Sequence, residues 1–366
     1  MTLDRYLARR FVMSFLTVTG VFFVLLSLAD LIEQARQFGD EETASFGDIV
    51  SLTLLNAPQA LYDLLPLLVI LSSIALFLAL SRSSELVVAR AAGRSALRSL
   101  LAPILVVATI GVLGLAFLNP LVAATSKAYE QRVTALEDRG ASIVAVDSGG
   151  LWLRQGGVEG QSVIRAERSN LDGTRLSGVT FITFSPDGHP LRRIDSDRAE
   201  LIDGAWRLND AKSWPLGNAE VPEAEAEFQP VVEVPSTLTA DQIRDSFGEP
   251  SSIPIWELPR FIQRLKAAGL SARRHEVYFQ SQLAQPAFLV AMLLIGAGFT
   301  LRHNRGGRTG MLVLTAISLS FGLYFIANFA EILGENDQVP ILLAAWAPPL
   351  AGIALSLGLL LHLEDG

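Results

Sequence analysis

The sequence predicts an α-helical integral membrane protein with six transmembrane helices and an all-β domain inserted between the third and fourth helices. Of its 366 residues, 50% are hydrophobic and 18% are charged, and the mean hydropathy of +0.39 is too high for one soluble domain. Six apolar runs are each long enough to cross about 30 Å of hydrocarbon. Between the third and fourth runs, a polar segment rich in turn residues favours β-strands.

The apolar runs contain few charged residues, as membrane spans require. They are Phe11–Ala29, Tyr62–Leu80, Leu100–Pro120, Tyr278–Leu301, Met311–Ala330 and Ile341–Leu361. The first run exceeds the roughly 7–15 apolar residues of a signal peptide, so we interpret it as a retained anchor. An even number of spans places both termini on one side of the membrane.

Arginine residues indicate which side faces the cytoplasm. Arg9 and Arg10 precede the first run, and residues 81–99, between the second and third runs, contain four arginines. Basic residues are enriched in cytoplasmic loops, so both termini are predicted to be cytoplasmic and the β domain to lie on the opposite side. Arg273 and Arg274 are an exception, because they precede the fourth run on the outer side.

The middle of the chain is predicted to form the β domain. Residues 1–124 contain the first three spans, residues 125–270 the β domain, and residues 271–366 the last three spans. The strand-like segments are Val163–Glu167, Val179–Phe184, Leu191–Ile202 and Ala205–Leu208. Asp-Gly and Pro-Asp-Gly turns separate them, which is typical of a β-meander, jelly-roll or sandwich.

An amphipathic helix is predicted to follow the strands. Leu258, Phe261, Ile262 and Leu265 have helical spacing, and Gly269 ends the pattern. A packing or interfacial role is the simplest interpretation of this helix.

Several classes of function are excluded or disfavoured by composition. The net charge of −8 argues against nucleic-acid binding, and the absence of cysteine excludes disulfides, thiolate metal sites and cysteine nucleophiles. The four histidines have no metal-ligand spacing, and neither a phosphate-binding loop nor a serine nucleophile motif is present. We therefore expect a non-catalytic permease subunit that binds no cofactor itself and is driven by another chain.

Four motifs resemble the lipopolysaccharide-export permease family (YjgP/YjgQ, LptF/LptG) of Gram-negative bacteria. They are Leu3-Asp4-Arg5-Tyr6, Ser84-Glu85-Leu86-Val87-Val88 with the following Gly93, Gly150-Leu151-Trp152, and Gln285-Pro286. The resemblance extends over essentially the whole chain. It implies an inner-membrane permease with a periplasmic β-jellyroll-like domain between helices 3 and 4.

The resemblance also implies a set of partners and a function. This subunit would pair with a paralogous LptF-like permease, a cytoplasmic LptB-like ATPase dimer that binds ATP and Mg, and a single-span LptC-like subunit. The complex would extract lipopolysaccharide from the inner membrane and pass it to a periplasmic bridge.

Residues 84–94 match the coupling helix that docks on the ATPase in such transporters. In physical terms, Ser84 can cap a helix, Leu86 and Val87 can fill a groove, and Glu85 and Arg90 can form ion pairs at its rim. The predicted coupling residues are Ser84, Glu85, Leu86, Val87, Ala89, Arg90, Gly93 and Arg94.

The family's lipid cavity is lined by the first, second and fifth helices. The corresponding candidates here are Leu25, Leu28, Ile32, Phe321, Tyr324 and Phe325, and lipid-facing or packing roles are equally compatible with each. Arg36 is the candidate phosphate contact. Acidic residues nearby depart from the family's basic rim, so Arg273 and Arg274 are alternatives.

Two other classes of function remain open on the sequence alone. One is an exporter of another amphiphile, such as a lipoprotein. The other is a non-transporting membrane scaffold whose β domain binds a protein. Within the transport interpretation, the β domain is predicted either to receive lipid or to act as a scaffold that never contacts it.

Overall fold

The structure is a computed structural model that divides the chain into two compact units. It describes all residues except 1, 39–44, 84, 86–94, 137–143, 148–149, 158–159, 171–172, 186–187, 218–221, 237, 240–242, 244–249, 268–269, 301–308 and 366. Residues 1–133 and 273–366 form the helical unit, and residues 134–272 form the β unit. The sequence placed the domain boundaries at residues 124 and 270.

The helical unit contains the predicted membrane spans. Its helices are α1 (Thr2–Phe38), α2 (Phe46–Asp63), α3 (Leu65–Arg82), α4 (Ala96–Leu113), α5 (Asn119–Leu136), α7 (Arg273–Thr300), α8 (Thr309–Glu335) and α9 (Ile341–Asp365), and α6 (Leu258–Ala267) belongs to the β unit. Within the described residues, six helical stretches are long and apolar enough to cross a membrane, which confirms the prediction of six spans.

The second span is preceded by a separate helix. In the sequence, a helical pattern continues upstream of the second run and predicts one long helix from Phe46 to Leu80 with kinks at Pro58 and Pro66. In the structure, α2 ends at Asp63 and α3 begins at Leu65, so there are two helices. Pro66 lies in the first turn of α3, where its missing N–H group costs no hydrogen bond. Pro58 is accommodated inside α2.

The third span is interrupted by a π-helical turn. This turn, Gly114–Leu118, joins α4 to α5, and the whole stretch from Leu97 to Val133 is one candidate span. A π turn inserts an extra residue into the helical ladder and changes the direction of the side chains that follow, often at functional sites.

Helices α3 and α7 approach each other closely at the centre of the helical unit. Ser73 of α3 donates a hydrogen bond to the carbonyl of Leu293, at 2.9 Å. A Cβ atom added to Gly296 would lie 2.7 Å from the Ser73 hydroxyl oxygen. Small residues at a membrane helix interface allow this approach and thereby increase the dispersion contacts around it.

Gly296→Leu is expected to destabilise the helical unit, because the new side chain would force α3 and α7 apart. Overpacking of this kind typically costs about 1–3 kcal/mol. Thermal unfolding in detergent should therefore occur at a lower temperature than in the wild type. Gly322→Leu in α8 is the control, since no atom lies within 4 Å of its added Cβ. Equal unfolding temperatures for the two variants would contradict the packing argument.

The β unit is built on one antiparallel sheet of seven strands. They are β1 (Val144–Asp147), β2 (Gly150–Gly157), β3 (Gly160–Ser169), β4 (Arg175–Phe184), β5 (Pro190–Ile202), β6 (Ala205–Pro215) and β7 (Glu227–Pro235). Each strand pairs with the next in sequence, which is the connectivity of a meander. The predicted strand segments lie within β3 to β6, and the remaining three strands were not predicted.

The Asp203-Gly204 turn between β5 and β6 has the predicted geometry. Ile202 pairs with Ala205 across it, and Gly204 has a φ of +75°, which glycine adopts without strain.

One face of the sheet carries a packed apolar core. Phe181 and Trp206 are completely buried there, and their rings meet edge to face at a centroid distance of 6.3 Å. Helix α6, at the position predicted from its amphipathic pattern, contacts β1. Its Leu258 and Leu265 side chains are also completely buried, so the helix belongs to the β unit's hydrophobic interior.

Candidate functional site

Glu85 is the one residue between positions 84 and 94 that the structure describes, and its carboxylate contacts α1. The Tyr6 hydroxyl donates to Glu85 Oε2 at 2.8 Å, and the Ser83 hydroxyl donates to Oε1 at 2.8 Å. Arg10 forms an ion pair with Oε1 at 3.3 Å. Tyr6 and Arg10 are one helical turn apart, so a single face of α1 holds the carboxylate.

The surroundings of Glu85 favour its ionised form. Desolvation raises the pKa of its carboxyl group, but the hydrogen bonds from Tyr6 and Ser83 and the charge of Arg10 outweigh this effect. The pKa of Glu85 is therefore lowered from its ordinary value. The ionised carboxylate of Glu85 is thus held by side chains from the first turns of α1.

The remaining predicted coupling residues lie outside the described residues. They are Ser84, Leu86, Val87, Ala89, Arg90, Gly93 and Arg94. On the far side of this segment, the Ser95 hydroxyl accepts a hydrogen bond from the backbone N–H of Arg98 at 3.2 Å. Ser95 thus caps the start of α4, which leads into the third span.

The predicted lipid-contacting residues lie on α1 and α8. Leu25, Leu28 and Ile32 are exposed on α1, and Phe321 and Phe325 are exposed on α8. Both helices pack against α3, so the two apolar faces belong to helices that share one neighbour. Exposure makes these faces available to lipid, to a partner helix or to a transported amphiphile.

Tyr324 differs from its neighbours because it also lines a pocket of about 240 Å³ between the end of α2 and helices α3, α7, α8 and α9. The pocket also contains Asp63 and Glu331. The Tyr62 hydroxyl lies 2.7 Å from the side-chain oxygen of Gln285. The pocket therefore places two carboxyl groups and three side-chain amides among apolar residues.

The two arginines at positions 273 and 274 have different surroundings. Arg273 donates to the backbone carbonyls of Gly334 at 2.6 Å and Val339 at 2.8 Å, and it forms an ion pair with Asp337 at 2.7 Å. It therefore holds the start of α7 against the end of α8 and the loop that follows, whereas Arg274 is exposed. Arg36 is also exposed, near the end of α1.

Tyr6 and Gln285 belong to sequence motifs, but no function was predicted for either residue. The structure places Tyr6 on Glu85 and Gln285 on Tyr62. Membership of a motif was thus the only signal that could have identified them. Arg10 was not identified as a contact of Glu85, because the two residues are 75 positions apart in the sequence.

Comparison with known proteins assigns the chain to a family. Residues 5–362 match the model of the family described as "Lipopolysaccharide export system permease LptF/LptG". The chain belongs to the LptF/LptG family. Members of this family are permeases, so this chain is a multi-pass inner-membrane protein and a non-catalytic component of a transport system.

Two curated members of the LptF/LptG family align with the chain over nearly its whole length. The "Lipopolysaccharide export system permease protein LptG" of Escherichia coli K12 is 25% identical over 369 residues, which is 98% of both chains. The LptG protein of Haemophilus influenzae is 24% identical over 381 residues, covering 100% of this chain and 99% of the relative. Within the family, the chain is therefore most like the LptG subunit.

Proposed function

We propose that this chain is the LptG-like permease subunit of an ATP-driven transporter that extracts lipopolysaccharide from the inner membrane. The observation that carries the proposal is the family match over residues 5–362. The six spans and the exposed apolar faces of α1 and α8 agree with it, since a lipid with several acyl chains requires extended apolar surface. The lipid would then pass to a periplasmic bridge toward the outer membrane.

In the proposed complex, partner chains would bind ATP, complete the cavity and continue the lipid path. An LptB-like ATPase dimer would bind ATP and Mg, an LptF-like permease would complete the cavity, and an LptC-like subunit would continue the path. In this arrangement, residues 84–94 transmit closure of the ATPase to the membrane. The contact of Glu85 with Tyr6 and Arg10 supplies a direct route from that segment to α1.

A detergent pull-down of the tagged protein, with mass spectrometry of proteins and lipids, tests the proposal. Recovery of an ATPase, a paralogous permease and lipopolysaccharide is expected. An ATPase recovered with lipoprotein cargo would change the substrate to another amphiphile. Recovery without any ATPase would favour the membrane scaffold with a protein-binding β domain.

The proposed lipid path runs along the exposed face of α1. Leu25, Leu28 and Ile32 would contact acyl chains, and Arg36, about one turn beyond Ile32, would contact a phosphate group. A photo-crosslinking residue at position 36 is expected to form lipopolysaccharide adducts in an ATP-dependent manner. The same residue at position 105, an exposed site on α4 outside the proposed path, is the comparison site. Absence of adducts at position 36 despite active transport would contradict the path.

Both termini are proposed to be cytoplasmic and the β domain periplasmic. Because the sequence contains no cysteine, a single introduced cysteine gives an unambiguous label. Asp203→Cys, in the β5–β6 turn, is expected to react with a membrane-impermeant maleimide in spheroplasts. Arg5→Cys is expected to react only after permeabilisation. The reverse labelling pattern would invert the topology.

The packed interior of the β unit favours a scaffold role over a lipid-binding role. Phe181 and Trp206 are completely buried against each other, and Leu258 and Leu265 of α6 are completely buried as well, so protein contacts already cover these apolar side chains. A crosslinking residue at position 181 is therefore expected to give no lipopolysaccharide adducts during transport. Adducts at that position would show instead that the interior opens to receive lipid.

A further inference from the structure

An apolar pocket of about 650 Å³ lies among α1, α2, α3, α4, the π-helical turn and the start of α5. Phe15, Thr19 and Phe23 form its wall on α1, Leu54 contributes from α2, and Gly114 contributes from the π turn. The volume falls within the roughly 300–1,000 Å³ of small-molecule sites. The walls are almost entirely apolar, so the complementary ligand is a hydrocarbon chain.

A polar stripe continues from this pocket along the same face of α1. Ser27, Asp30 and Gln34 follow Phe23 at spacings of three or four residues, which keeps them on one side of the helix. Asn56 of α2 donates to Asp30 Oδ1 at 2.7 Å. The Gln34 amide nitrogen donates to the Tyr129 hydroxyl of α5 at 2.8 Å. The stripe is therefore enclosed by the helices that also frame the pocket.

Three oxygen atoms of this stripe have no partner within the part of the chain that the structure describes. They are Ser27 Oγ, Asp30 Oδ2 and Gln34 Oε1, and all three are covered by protein atoms. Gln34 is only 3% exposed. Buried acceptors without a donor are rare in proteins and raise the free energy of the state that contains them. A ligand that carries donors would stabilise this site.

The stripe faces away from the proposed transport path. Successive helical residues are about 100° apart, so Leu28 points roughly 200° around α1 from Asp30. Leu25 and Ile32 share the side of Leu28, and all three are exposed. The pocket and the polar stripe thus form a second amphiphilic surface on the opposite side of the helix.

We propose that this surface binds an aminophospholipid of the bilayer, with one acyl chain in the pocket and the ammonium group on Asp30 and Gln34. A primary ammonium group has three N–H donors and a positive charge, which suit one carboxylate oxygen and one amide oxygen. Because these oxygens are covered in this state, the ammonium group enters by a local separation of α1 from α2. The inference depends on the chain's membrane location and not on the identity of the transported lipid.

The apolar pocket and the oxygen acceptors beyond it favour a single amphiphile as the occupant. One molecule with a hydrocarbon chain and a donor-bearing head group would match both parts of the surface.

Native mass spectrometry of the intact protein complex, released from nanodiscs of defined composition, tests the proposal. We expect about tenfold greater retention of phosphatidylethanolamine than of phosphatidylcholine, whose quaternary ammonium group has no N–H donor. Asp30→Asn should remove most of this preference. Glu33→Gln is the matched control, because Glu33 is an exposed carboxylate on the neighbouring face of α1.

A second variant tests the acyl-chain pocket without altering the polar stripe. A Cβ atom at Gly114 would meet Leu65 at 3.8 Å, an ordinary contact, so Gly114→Leu is expected to project into the pocket and reduce lipid retention. Equal retention of the two phospholipids by the wild type would overturn the proposal. Two other results would also overturn it. One is that phosphatidylethanolamine with a photoactivatable group at its acyl terminus crosslinks only to Leu25–Ile32. The other is that lipopolysaccharide, and not phosphatidylethanolamine, is recovered at Phe15–Phe23.

Discussion

Glu85→Lys is expected to reduce ATP-driven lipopolysaccharide transport by about tenfold or more. The substitution removes the acceptor for the Tyr6 hydroxyl and places a positive charge beside Arg10. Loss of a hydrogen bond to a charged group costs roughly 1.5–3 kcal/mol, and partial exposure of both side chains reduces this to the lower end of the range. Transport in proteoliposomes, measured beside ATP hydrolysis and ATPase recovery, gives the readout. We also expect weaker association with the ATPase.

Tyr6→Phe separates a contact within the chain from a contact with the ATPase. It removes the hydrogen bond to Glu85 without changing any charge, so it should lower transport by roughly threefold while leaving ATPase recovery intact. If Glu85 acts only at the ATPase surface, Tyr6→Phe will have no effect. The exchanged pair, Arg10→Glu with Glu85→Arg, should recover part of the activity, and failure of both tests would exclude the proposed route to α1.

The contact of Glu85 with α1 is expected to be insensitive to pH near neutrality. Because the folded-state pKa of Glu85 is lowered, its stabilising contribution is present above the ordinary glutamate pKa of about 4.3. The contribution is lost only as the pH falls through the lowered folded-state value. Wild-type transport should consequently show no transition attributable to Glu85 between about pH 6 and pH 8.

Arg273→Met is expected to destabilise the helical unit by roughly 2–3 kcal/mol, because it leaves two carbonyl groups and Asp337 without their guanidinium partner. The arginine side chain is 24% exposed, so water replaces these contacts only in part. Thermal unfolding in detergent, followed by the far-ultraviolet circular dichroism of the helices, measures the effect. Assembly with the paralogous permease should decrease in parallel.

Arg274→Met is the matched control for Arg273→Met. Arg274 is adjacent in sequence but exposed, so its substitution should change the unfolding temperature little. The pair also separates a structural role from a substrate-binding role. A stable Arg273→Met variant that had lost lipopolysaccharide binding would return Arg273 to its predicted role as a phosphate contact.

The prediction of the helices and of the central strands relied on local patterns. A run of about twenty apolar residues can satisfy its backbone hydrogen bonds in a membrane only as a helix, so length and composition suffice to identify it. The spacing of Leu258, Ile262 and Leu265 likewise predicted α6. Strands β1, β2 and β7 were missed because β1 has only four residues, β2 contains three glycines and β7 contains Pro230, and each of these features weakens the strand pattern.

The backbone structure around Pro66 and Gly114 could not be predicted in full from local sequence patterns. The sequence indicated a disturbance at Pro66, but only the structure showed that α2 and α3 are separate helices. Nothing in the apolar run around Gly114 indicated a π turn, because one extra residue in a helical ladder leaves hydrophobicity unchanged. Such a turn depends on the neighbouring helices.

The sequence by itself determined that this chain crosses a membrane six times around an inserted β domain, and its motifs indicated the permease family. Only the tertiary structure placed Tyr6 on Glu85, Arg273 on the loop after α8, and the unpartnered oxygens of Asp30 and Gln34 beside an apolar pocket. The physical reason is the range of the interactions. Hydrophobic periodicity acts within one helix or strand, whereas these side chains meet partners 26 to 95 residues away through helix packing.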